Sequence, residues 1–272
     1  LETDPFRIRG HVPEFDAIVS EIKARSASTR ARLRMREIAY GEGGSETVDV
    51  FYPDGISDRR PVHMFIHGGY WRMFSKRDYS YVADTITGTG AIAIIVDYAL
   101  MPHVRMEALV DQVRRAKQWV FQHIASHGGD ASRFTVSGHS AGAHLASFLL
   151  HRQEAFSGVS AALLLGGLYD LKPLQSSFLR SEIAITDREV ADLSPMLHSF
   201  DQGCRAIIAV GAEETPPFHQ QADAFSLRLR QQGLSVTSER LEGSNHMSSV
   251  RDLGFPDTAI GRILSQMIAS VG

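Results

Sequence analysis

One cysteine, Cys204, is all that 272 residues provide. An internal disulfide and a CxxC redox or zinc motif are thereby excluded, and a reducing, cytoplasmic setting is the expectation. Long hydrophobic runs are missing too. None reaches the roughly 18 residues that a transmembrane helix needs, and no basic-then-apolar signal opens the chain, so no membrane partner is expected. A first residue of Leu1 rather than Met is compatible with a removed leader. Nor does one sign of charge dominate: 28 Lys and Arg stand against 31 Asp and Glu, a net charge of −3. The cations are dispersed among carboxylates instead of forming the basic stripe that a nucleic-acid partner requires. No internal repeat, low-complexity tract or Pro/Gly-rich linker divides the chain, which predicts one domain over 1–272, as a monomer or a homodimer. What the sequence does have is 43% hydrophobic residues, enough to bury a full core.

The spacing predicts a charged helix over 13–34, inside an N-terminal helical segment 1–35. Strands follow at 47–52, 62–67 and 91–96, the last apolar throughout, as suits a strand covered on both faces. Leu109, Val113, Ala116, Val120 and Ile124 recur every three or four residues, the mark of an amphipathic helix. A strand at 133–137, a helix at 141–151, strands at 161–165 and 206–210, a helix at 217–232, a strand at 235–241 and a helix at 257–270 complete the order. Strands alternating with helices predict an α/β fold on a mostly parallel sheet. The stretch 168–200 is the least periodic. It lies between two strands on the side where the loops of such a sheet carry function, and it is expected to cover the site as a small lid.

Where the strand at 133–137 hands over to the helix at 141–151, the chain reads Gly138-His139-Ser140-Ala141-Gly142. A serine hydroxyl attacks a carbonyl only when a base takes its proton and the turn holds it clear of the sheet. So sharp a turn leaves no room for side chains two residues away on either side, hence the glycines of this G-x-S-x-G elbow. Ser140 is thus the candidate nucleophile, with the Ala141 N–H as one donor to a developing oxyanion. The fold then predicts an acid and a histidine later in the chain, each just past a strand. Glu214 and His246 fall at those places, with Glu213 as a rival acid that spacing alone does not exclude. The glycines of His67-Gly68-Gly69-Tyr70-Trp71, after the strand at 62–67, fit a second source of oxyanion N–H groups, as in HGGG-type loops. Tyr70 and Trp71 suit either a narrowed cleft or the core. Of 12 histidines, His63 and His67 share a strand face, but no carboxylate or cysteine joins them at ligand spacing. His139 and His144 fit packing around the elbow. Neither a metal nor an organic cofactor is expected, and the partner is a small-molecule substrate.

HGGYW with Ser75-Lys76, DYALMP at 97–102, GHSAG, GLYDLKP at 167–173, LSP at 193–195, ETPPF at 214–218 and Asn245-His246 occur in one order. Together they resemble the arylformamidase, or kynurenine formamidase, branch of the α/β-hydrolases, close to the small carboxylesterases, from about Arg36 to the final helix. The resemblance implies an α/β-hydrolase fold with Ser140 as nucleophile, Glu214 rather than Glu213 as acid, and His246 as base. It also implies an oxyanion hole from Gly68, Gly69, Tyr70 and Ala141, with His67 and Trp71 binding substrate. Two residues depart from the pattern. Glu214 stands where animal members generally have aspartate, and Met247 where phenylalanine often follows the histidine. The implied activity is hydrolysis of N-formyl-L-kynurenine or a similar N-acyl arylamine. A carboxylesterase for short-chain esters, with the same residues and another pocket, is the alternative.

Overall fold

The computed structural model describes residues 4–55, 59–152 and 156–271, so the first three residues of the segment 1–35 lie outside it. Its strands are β1 (Met35–Ala39), β2 (Thr47–Phe51), β3 (Arg60–Ile66), β4 (Ile92–Val96), β5 (Gly129–His139), β6 (Ala161–Leu165), β7 (Arg205–Gly211) and β8 (Val236–Leu241). They form one eight-stranded sheet in the order β1-β2-β4-β3-β5-β6-β7-β8. β2 runs antiparallel to β1 and β4, and the remaining pairs are parallel. All five residues of β4 and all five of β6 are buried, as strands covered on both faces must be.

The described helices are α1 (Phe15–Arg32), α2 (Val82–Gly88), α3 (Met106–His123), α4 (Ala141–Ser147), α5 (Leu179–Glu182), α6 (Asp187–Leu193), α7 (Pro216–Gln231), α8 (His246–Asp252) and α9 (Ala259–Ala269). α1, α2, α8 and α9 pack on one another, whereas α3 packs on α4 and α6. α1 turns Phe15, Ile18, Ile22, Ser26 and Thr29 inward at helical spacing. Among the described residues, no helix is long and apolar enough to cross a membrane.

The expected strands between 47 and 241 are present, with differences at the margins. β1, α2 and α8 are additional to the pattern. Only two of β1's five residues are even half-buried, so it carries no alternating signal, while α2 is short and rich in Val, Ile and Thr, residues with low helix propensity. The helix expected over 141–151 is α4 followed by a 3₁₀ turn, Phe148–Leu150. The stretch 168–200 folds into short turns that include α5 and α6, with a Thr186/Glu189 capping box opening α6.

Register brings the site together. Ile66 at the end of β3 pairs with Gly138 of β5, and His139 pairs with Leu165 of β6. Leu165 pairs with Ala209 of β7, and Gly211 with Leu241 of β8. The loops after β3, β5, β7 and β8 therefore leave one edge of the sheet, the carboxyl edge where such folds bind ligands.

Candidate active site

Ser140 sits between β5 and α4 with φ 56° and ψ −120°, a strained backbone for a residue with a side chain. Its own N–H donates to the Leu165 carbonyl at 2.8 Å, which ties the turn to β6. The flanking glycines are needed for space. A Cβ on Gly138 would lie 2.2 Å from the Gly142 carbonyl oxygen, and one on Gly142 would lie 2.0 Å from that of Ile66.

The loops after β7 and β8 bring a carboxyl group and an imidazole together. His246 opens α8, fixed by a capping box in which the Asn245 side chain accepts from the N–H groups of Met247 and Ser248. The His246 Nδ1–H donates to Glu214 Oε2 at 2.6 Å, and Glu214 Oε1 accepts from the Gly211 N–H at 3.0 Å. Both side chains are almost wholly buried. The second ring nitrogen of His246 is thus left as an acceptor, and His246 and Ser140 face the same cavity. Glu213, the rival acid, is exposed.

The loop after β3 passes over the serine so closely that a Cβ on Gly68 would lie 3.2 Å from Ser140 Cβ. Gly69, Tyr70, Trp71 and Phe74 all have positive φ. Among the described residues, the N–H groups of Gly68, Gly69, Tyr70 and Ala141 donate to no protein acceptor, so they are available to a ligand oxygen. The Tyr70 phenol is held well above its usual pKa by burial and by the nearby charges of Asp4 and Glu214. It stays a neutral donor, to the Phe6 carbonyl.

The cavity, of about 160 Å³, is walled by Tyr70, Phe74, Phe178, Met247 and the N-terminal segment at Arg7 and Ile8. That segment is a strap across the site. The Thr215 hydroxyl donates to the Pro5 carbonyl at 2.6 Å, Asp4 Oδ2 accepts from the Phe178 N–H at 2.6 Å, and Phe6 packs edge-on against Phe218. No periodicity in residues 4–14 signals this role. The stretch 168–200 reaches the cavity through Phe178 and Glu182.

Two expectations are corrected. His67 and Trp71 are fully buried and line no part of the cavity. The His67 ring stacks on Tyr98 with centroids 4.3 Å apart, and its Nδ1–H donates to the Gly68 carbonyl at 2.8 Å. The Trp71 indole N–H donates to His144 Nδ1 at 3.1 Å. Both motif residues support the loop from beneath, because the backbone at Gly68 and Gly69 faces the site while their side chains turn to the core. His139, in contrast, does line the cavity. Its Nε2–H donates to the His246 carbonyl at 3.0 Å, and burial holds its pKa well below the usual imidazole range. His63 is enclosed by the Thr135 and Ser137 hydroxyls at 2.8 and 2.6 Å, and burial pushes its pKa down to about 3. Among the described residues, no three His, Cys, Asp or Glu side chains cluster to hold a metal ion.

A strained serine at a strand–helix elbow, with an acid-bonded histidine across the cavity, is the arrangement of a known fold family, and its profile, described as the alpha/beta hydrolase fold, matches residues 63–249. The chain belongs to the α/β-hydrolase family. Within it, the chain is 30% identical to a kynurenine formamidase of Salmo salar over 93% of this chain and 90% of that one. It is 28% identical to the Danio rerio kynurenine formamidase over 98% and 94% of the two chains. A solved structure from Silicibacter sp. TM1040 shares the fold with a TM-score of 0.82 at 24% identity, over 97% of each chain. The carboxylesterase EstE1, from a metagenomic library, does so with a TM-score of 0.74 at 18% identity, over 94% and 96%. This α/β-hydrolase is an enzyme of the branch that holds kynurenine formamidases and carboxylesterases, acting on esters or amides.

Proposed function

We propose that the protein is a metal-independent serine hydrolase that removes a small acyl group, formyl foremost, from an arylamine of the N-formyl-L-kynurenine type. The reading rests on one observation: His246 faces the same cavity as Ser140 while its other nitrogen is bonded to Glu214 at 2.6 Å. Its kinship with kynurenine formamidases along nearly the whole chain supports the substrate class, as do the aromatic walls Tyr70, Phe74 and Phe178.

In this mechanism His246 Nε2 takes the hydroxyl proton as Ser140 Oγ attacks the acyl carbon. The carbonyl oxygen gains negative charge and accepts from N–H groups of Gly68, Gly69, Tyr70 and Ala141. Glu214 fixes the tautomer of His246 and stabilises its cation. The carbon–nitrogen bond then breaks, His246 returns the proton to the departing arylamine, and an acyl-Ser140 ester remains. Water, deprotonated by His246, releases formate and restores the hydroxyl. An arylamine leaves more readily than an alkylamine because its lone pair is shared with the ring. The protein is a cytoplasmic, single-domain enzyme in this reading, with 168–200 and the N-terminal strap covering the site.

The test compares turnover of N-formyl-L-kynurenine and p-nitrophenyl acetate, with Ser140→Ala as the blank. The reading expects kcat/KM on the formamide of about 10⁴ M⁻¹s⁻¹ or more, lost in the variant. Cleavage of the ester alone would replace it with the carboxylesterase reading, on the same residues.

A further inference from the structure

The charged groups on the cavity wall, His139 and His246 aside, are Arg7, Arg9, Arg72 and Glu182. Arg72 is paired with Glu182, and Arg9 with Asp16 at 2.9 Å in the open. Among the described residues Arg7 has no ion pair, and its Nε is buried without a hydrogen-bond partner. Its guanidinium lies over the Phe178 ring, 4.5 Å from the centroid, so one face is packed on an aromatic and its edge remains free to donate.

The backbone leading into Arg7 is fixed. Pro5 and Phe6 accept from the Thr215 and Tyr70 hydroxyls, and the Arg7 N–H itself donates to the Asp4 carbonyl at 3.0 Å. Thr215 follows Glu214, and Tyr70 belongs to the loop over Ser140. The strap thus holds a half-buried cation, unpaired among the described residues, in register with the reacting groups. A planar fork of N–H donors on a fixed segment suits a carboxylate.

From this geometry we infer that Arg7 is a specificity-determining residue that binds a carboxylate on the part of the substrate remote from the scissile bond, so that the enzyme selects anionic aryl amides or esters over neutral ones. The inference rests on the serine-hydrolase reading of the cavity and deepens it, since it names the charge of the substrate. A hydrogen bond to a charged group contributes about 1.5–3 kcal/mol, or about 10- to 150-fold in kcat/KM.

The experiment measures, at fixed ionic strength, the ratio of kcat/KM for an anionic substrate to that for its neutral carboxamide. Two pairs are used: N-formyl-L-kynurenine with its carboxamide, and an aryl acetate bearing a carboxylate or a carboxamide on the phenol side. In Arg7→Gln the ratio should fall about 10- to 100-fold, whereas Arg7→Lys should retain a large part of it. A general loosening of the strap would lower both members of a pair and leave the ratio where it was. That outcome overturns the inference, as does a ratio near unity in the unaltered enzyme. If no formamide is turned over but the aryl acetates show the ratio and its loss, the formamidase reading fails and the role of Arg7 stands. If formamides are cleaved with no charge preference, the reverse holds.

Discussion

Replacing Glu214 by glutamine tests the assignment of the acid while preserving size. The carboxylate is buried and bonded to His246 Nδ1 at 2.6 Å, so it acts on the ring in two ways. First, it sets the tautomer: an amide can turn its N–H₂ toward Nδ1, which moves the ring proton to the nitrogen that must accept from Ser140. Second, it stabilises the imidazolium formed as Ser140 attacks. Unit charges about 4 Å apart at an effective dielectric of about 20 interact by about 4 kcal/mol, and about 4 kcal/mol is about 10³ in rate. With the tautomer penalty added, Glu214→Gln should lower kcat about 10³- to 10⁴-fold, with KM moved by about threefold or less. Glu213→Gln, at an exposed side chain, should stay within about twofold of the parent. Steady-state kinetics on p-nitrophenyl acetate, beside thermal melts to confirm folding, make the comparison. A Glu214→Gln enzyme that keeps more than about a tenth of its turnover, or a larger loss at Glu213, would refute the assignment.

The elbow and the buried histidines give further expectations. Gly142→Ala would place a methyl 2.0 Å from the Ile66 carbonyl oxygen and 2.5 Å from that of His67. It should destabilise the fold by about 1–3 kcal/mol and displace the Gly68-Gly69 loop; unchanged urea unfolding and unchanged turnover would contradict this. Burial lowers the pKa of His63 to about 3, of His144 to about 4 and of His151 to about 3, against 6.5 in the unfolded chain. Between that value and about pH 4 the unfolded state therefore binds more protons, so the stability present above pH 6.5 is lost as the pH falls. The slope is about 1.4 kcal/mol per pH unit for each such histidine. Urea unfolding at about pH 7.5, 6.5 and 5.5 reads it, and a flat profile would refute it.

Much of the framework was legible because buried parallel strands are apolar runs, such as Ile92–Val96, and because the Gly-x-Ser-x-Gly turn is a steric requirement written in residue types. β1 escaped because its residues are largely exposed at the sheet edge. A motif's order does not say which way each side chain points. His67 and Trp71 lie in the loop over Ser140, yet their rings pack against Tyr98 and His144. His139, expected in packing, instead lines the cavity. The strap was hidden for another reason. Its position depends on Thr215 and Tyr70, whose contacts with Pro5 and Phe6 span 210 and 64 residues of chain, and no local pattern carries pairings so remote.

The most direct measurement is covalent labelling with a fluorophosphonate followed by intact-mass and peptide analysis of the parent and of Ser140→Ala. The nucleophile assignment requires a single adduct, on the peptide that contains Ser140, and none in the variant. Hydrolysis that persists in Ser140→Ala, or an adduct on another residue, would contradict it.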